Sequence, residues 1–115
     1  MENAKLYNGN FERANLSNAN LQGAKLERAI FKYCKLYNVE LRWATINDTN
    51  FTGANLRFAF FKGVGISNTI FDSANLEFCF IGSLFMNECD FSNSNMNNII
   101  INNCEIAYPF SFQLL

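Results

Sequence analysis

A hydrophobic residue falls on every fifth position of this 115-residue chain, from Leu6, Phe11, Leu16, Leu21, Leu26 and Phe31 through to Phe91, Met96, Ile101 and Ile106. All 21 of these positions hold Leu, Ile, Phe or Met in a chain that is 50% hydrophobic. A random arrangement would do this about once in a few million trials. A period of five rules out a single helix, because successive hits walk about 140° around the axis and define no face. It also rules out a simple strand, where an odd period throws successive hits to opposite faces.

A chain that turns a corner every five residues does satisfy the pattern. The position two before each clock residue is small in most units, as at Ala4, Gly9, Ala14, Ala19, Ala24, Ala29, Ala54 and Ala74, so it too is confined. The position two after holds Asn8, Asn18, Gly23, Asn38, Asp48, Gly53, Gly63, Asn68 and Asn93. These residue types tolerate the positive φ that the third residue of a type II turn requires. Each unit is therefore a short extended piece and a corner, with two side chains inward and three outward.

The number of sides per turn is also encoded. Phe occupies the clock at 11, 31, 51, 71 and 91, a spacing of 20, and elsewhere on the clock only at Phe61. Leu16, Leu36, Leu56 and Leu76 repeat that spacing, continued by Met96. Four sides thus return the chain over itself, and the fold class is an all-β solenoid of about five coils of 20 residues. At the strand spacing of a sheet it stands about 25 Å tall. The Phe column predicts an interior ladder of rings, and outward Asn15, Asn55, Asn75 and Asn95 predict an amide ladder.

Length and composition give one domain, a rod over residues 1–108, followed by an apolar tail over 109–115. Ten acids and nine bases leave a net charge of −1, which argues against a nucleic-acid partner. The charges are unevenly spread: every base lies at or before Lys62, where the net is +4, and the rest of the chain carries −5. No apolar run approaches the roughly 18 residues of a membrane span, and Met1-Glu2-Asn3 opens directly on the pattern, so no membrane contact and a cytoplasmic location are expected.

Chemistry finds little purchase. Cys34, Cys79, Cys89 and Cys104 all fall on the small inward position and read as buried, reduced thiols. Their spacings match no zinc site, and no cofactor or metal is expected. The glycine pair of Gly63-Val64-Gly65 does not lead into a phosphate-loop sequence, and Gly63 already has a corner to explain it. With no histidine in the chain, no Ser or Thr has a base to activate it, and Glu88 and Asp90 sit on the outside of a convex rod. The expectation is a protein that is not an enzyme.

The units Ala14-Asn15-Leu16-Ser17-Asn18, Ala19-Asn20-Leu21-Gln22-Gly23, Ala54-Asn55-Leu56-Arg57-Phe58 and Ala74-Asn75-Leu76-Glu77-Phe78 resemble the consensus of the pentapeptide-repeat proteins. The resemblance spans residues 4–108 and implies a right-handed quadrilateral β-helix. It does not imply one function. Members of that family protect DNA gyrase and topoisomerase IV from quinolones by resembling duplex DNA in size and charge. This chain departs from them: no insertion breaks the clock, acids do not line the whole rod, and the coils are fewer. Mimicry of DNA toward a type II topoisomerase is therefore the alternative reading rather than the first.

The outward positions carry the main anomaly. Phe58 and Phe60 point outward by register, and adding 20 gives Phe78 and Phe80, with Ile100 extending the column. Phe85 disturbs the pattern further, as do Leu84 and Ile99. The tail adds Phe110, Phe112, Leu114 and Leu115, with Pro109 on a small position and Ser111 where the clock stops. Exposed apolar patches mark interfaces, and an open coil end presents unpaired backbone that proteins cover or pair. The expected function is a non-enzymatic structural or protein-interaction module that forms a homodimer through its C-terminal end, with the tail as either adhesive or lid; no other protein partner is identified.

Overall fold

The computed structural model describes residues 1–82, 85–102, 105–107 and 111–112, the last two segments by their backbone alone. Short strands are β1 (Thr45–Asn47), β2 (Phe60–Lys62), β3 (Gly65–Ser67), β4 (Phe80–Gly82), β5 (Phe85–Asn87), β6 (Asp90–Phe91), β7 (Ile100–Asn102), β8 (Glu105–Ala107) and β9 (Ser111–Phe112). All pairs are parallel, in sheets ordered β1-β3-β5-β8, β2-β4-β7 and β6-β9. Phe60 pairs with Phe80 and Phe80 with Ile100, and single bridges such as Lys5 to Lys25 and Asn55 to Asn75 carry the same 20-residue offset elsewhere. The chain is thus a four-sided parallel β-helix, with principal extents of 29 × 23 × 22 Å.

The corners form as the turn chemistry predicts. Gly9 N–H donates to Leu6 O at 3.1 Å across Asn8, whose φ is +61°, and the same geometry recurs through most of the rod. Not every third turn residue is Asn or Gly, however. Tyr33, Trp43, Phe58 and Phe78 hold φ of +55° to +61° as well. A left-handed backbone costs a residue with a Cβ roughly 1–2 kcal/mol. Hydrogen bonds between coils offset it: Trp43 N–H donates to Lys62 O at 2.8 Å, and Phe58 N–H to Glu77 O at 3.1 Å.

Inside, Phe11, Phe31, Phe51, Phe71 and Phe91 form the predicted ring ladder, with centroids 4.7–5.2 Å apart and planes within 14°. Leu21, Leu26, Leu36, Leu56 and Leu76 are fully buried on the other sides. The polar residues on the small inward position are satisfied by backbone carbonyls: Thr49 Oγ1 donates to Leu26 O of the preceding coil at 2.9 Å, and Ser94 Oγ to Phe91 O of its own turn at 2.7 Å. A buried hydroxyl costs little when it finds a carbonyl.

Three details differ from the sequence expectation. The Asn column does not form an amide ladder. Each amide oxygen turns to its own chain, accepting from the backbone N–H two residues on, as Ser17 to Asn15 at 3.1 Å and Glu77 to Asn75 at 3.1 Å. That N–H lies on the corner and points at no other coil, so the local bond wins. Inward register also does not guarantee burial. Leu6, Phe11 and Leu16 have a coil on one side only and are half-buried, and Ile101, in the last coil whose side chains are described, is 53% exposed. Finally, β9 pairs with β6 as Asp90 to Ser111 and Phe91 to Phe112, an offset of 21. The offset is still 20 at Asn87 to Ala107. The register at β9 is therefore shifted by one, and the backbone of Phe112, not Ser111, sits opposite the Phe column.

Candidate interaction surface

The turn at each corner puts its third residue and the residue two further on to either side of a small inward one. At one corner these flanking columns are Asn18, Asn38, Phe58, Phe78, Asn98 and Asn20, Glu40, Phe60, Phe80, Ile100. The expected aromatic cluster is present, as two ladders rather than one. Phe58 stacks on Phe78 with centroids 5.0 Å apart, and Phe60 on Phe80 at 4.7 Å. Tyr37 meets Phe58 edge-on at 5.5 Å. Phe58 and Phe78 are exposed, Phe60 and Phe80 half-buried, and Ile100, paired to Phe80 through β4 and β7, is exposed. Above Phe58 and Phe60 the valley opens into a groove of about 370 Å³ walled by Asn18, Asn38, Asn20 and Glu40.

Arginines cover the rings. The Arg42 guanidinium lies 4.9 Å from the Phe60 centroid and 5.7 Å from that of Trp43, and Arg57 lies 5.6 Å from Phe58. Each is oriented by an acid, Arg42 by Glu40 at 3.6 Å and Arg57 by Glu77 at 3.1 Å. A guanidinium held over an aromatic face is attracted by the ring quadrupole, and Arg with Trp and Tyr is the composition of binding hot spots.

The other candidates divide. Phe85 is exposed but belongs to the next side, where its backbone pairs with Gly65 and Glu105. Leu84, Cys104, Pro109, Phe110, Leu114 and Leu115 lie outside the described residues, and of Phe112 only the backbone is described. Sequence reasoning passes over Tyr33, Tyr37, Trp43, Arg42 and Arg57. Trp43 is 57% exposed and rests over Gly63, where a Cβ would come within 2.5 Å of its ring. A signal is available: Tyr33, Trp43, Phe58 and Phe78 all occupy the third turn position, where Asn or Gly is easier. Gly63→Ala is expected to cost about 1–2 kcal/mol, because Gly63 sits at φ +67° and the added methyl displaces the indole. Chemical denaturation followed by the emission of the single tryptophan reads both effects.

Cys34, Cys79 and Cys89 are buried free thiols, as their inward register predicts. Burial pushes Cys79 up to about 12, and Cys34 and Cys89 to about 11. A folded pKa above the unfolded one means the unfolded chain loses its proton first, so stability is full below about pH 9 and falls as pH rises toward 11–12. Melting curves from pH 8 upward are expected to show this decline, and Cys79→Ala to flatten it most.

The comparisons with known proteins agree with this geometry. A family model for the pentapeptide repeat region matches residues 1–71, more than half of the chain. A search of curated proteins finds no match. Among solved structures, a pentapeptide-repeat protein from the Arabidopsis thaliana thylakoid lumen superposes with a TM-score of 0.78 at 20% identity, over 82% of this chain and 66% of its own. The pentapeptide-repeat protein Rfr23 of the cyanobacterium Cyanothece 51142 gives 0.62 at 21% identity, over 86% and 64%. A third, from Nostoc, gives 0.52 at 18%, over 84% of each chain. The chain spans just under two thirds of the length of the first two. Such identities carry the fold alone. With the repeat matched across most of its length and the four-sided coil in place, this chain belongs to the pentapeptide-repeat family.

Proposed function

We propose that the protein is a non-enzymatic interaction module that self-associates through its C-terminal coils, in a reducing cytoplasmic setting and without nucleic-acid or membrane contact. The observation that supports this is the pair of outward ring ladders, Phe58–Phe78 and Phe60–Phe80, leading to exposed Ile100. Two of those rings sit on left-handed backbone, where a small polar residue is the easier choice. Strain kept at an exposed side chain points to a use for that side chain. Arg42 and Arg57, each over a ring, suit a protein partner.

The tail has two roles to choose between. Pairing of β9 with β6 favours its use as a lid on its own coil, which leaves the ladders as the adhesive surface. Light scattering over a concentration series, on the intact chain and on one ending at Tyr108, tests the proposal. A dimer in the intact chain supports it. Monomers in both sink it.

A further inference from the structure

We infer that two copies of this chain pair side by side and antiparallel, with the Phe58–Phe80 corner of each on the two-fold axis. The inference rests on the self-association proposed above and replaces an end-on contact with a lateral one. Two observations point to it: the position of the ladders and the distribution of charge.

The ladders lie midway along the rod. Phe58 and Phe60 are in the third coil and Phe78 and Phe80 in the fourth, with two further corner residues, Asn38 and Asn98, one step beyond at either end. A two-fold axis perpendicular to the rod, midway between Phe58 and Phe78, lays each column on its own counterpart. Phe58 then meets Phe78 of the second copy, and Phe60 meets Phe80. A surface that matches itself in this way closes into a dimer and does not propagate.

Charge selects the antiparallel arrangement. The same two-fold sets Arg57 opposite Glu77 of the second copy, so the ion pair made at 3.1 Å within one chain is repeated across the interface. A parallel arrangement would instead set Arg57 level with Lys62 of the second copy, like against like, and leave Glu77 facing Gly82. Over the whole rod the boundary between the +4 and −5 portions falls at residues 62 and 63, between the two rungs of the ladders. Antiparallel copies therefore place opposite charge side by side, and parallel copies place like charge together.

Two variants that each add one exposed cysteine test the geometry. In a Cys104→Ser background, Asn38→Cys and Asn98→Cys each add one surface thiol, while Cys34, Cys79 and Cys89 stay buried. Each protein is treated with a short bismaleimide, alone and mixed with the other carrying a size tag, and the mass is read by light scattering beforehand. The expected result is a dimer that links Asn38→Cys to Asn98→Cys in the mixture, with neither variant linking to itself. Self-linking of Asn98→Cys alone would show end-on pairing and overturn the lateral arrangement while leaving self-association standing. Self-linking of both variants would show a parallel dimer, with the same consequence. A dimer with no linked product in the mixture also overturns the lateral arrangement, and a monomer throughout removes both readings.

Discussion

Phe51→Ala is expected to remove about 4–5 kcal/mol of stability, seen as a large drop in the urea midpoint. Phe51 is fully buried between Phe31 at 5.2 Å and Phe71 at 5.1 Å. Truncating a buried Phe costs about 3–5 kcal/mol through lost transfer and the cavity left behind, and each stacked ring partner adds about 0.5–1.5 kcal/mol beyond area. Total stabilities of single domains are about 5–15 kcal/mol, so one such loss is a large share. In a solenoid each coil is held only by its neighbours, and a defect in the middle weakens two interfaces at once. Phe11→Ala serves as the comparison. That ring is half-buried with one stacked neighbour, and its loss is expected to cost less than half as much. Urea denaturation of the two variants gives the ratio, and equal losses would contradict the ladder as the main support.

The double variant Phe58→Asn with Phe78→Asn is expected to do the opposite: abolish self-association while changing monomer stability by no more than about 1 kcal/mol. Asn relieves the left-handed backbone at both sites, worth about 1–2 kcal/mol per residue at most, and this offsets the lost ring stack and the edge contact to Tyr37. Light scattering and denaturation on the same sample separate the two effects. A variant that stays dimeric would show that the ladders are not the interface. A variant that unfolds would show that they are structural supports, like the inner ladder.

The contrast between these two columns bounds what is legible from the chain alone. The inner Phe column can be read because a clock residue has one environment in every coil, so its identity repeats at 20 and the period can be counted. The outer ladders can be found by the same addition, from 58 to 78 and from 60 to 80. Their surroundings cannot. Arg42 over Phe60 and Trp43, and Arg57 between Phe58 and Glu77, depend on how long side chains lean along the rod, which no register supplies. Trp43 and Tyr33 escape a sequence reading because the third turn position favours Gly or Asn by intrinsic preference, and hydrogen bonds between coils override that preference.

Sequence alone determined the four-sided coil, its 20-residue turn, the inward thiols and the Phe core, because each follows from a period that a chain can satisfy in one way. Tertiary structure decided everything that depends on neighbours at the surface and the ends. The Asn amides turned back to their own corners, Leu6, Phe11 and Leu16 were left half-buried, and the strand at Ser111–Phe112 slipped by one residue to meet Asp90–Phe91. The physical reason is the same in each case. A repeat specifies what every coil shares, while a surface or an end is defined by what one coil has and the next lacks.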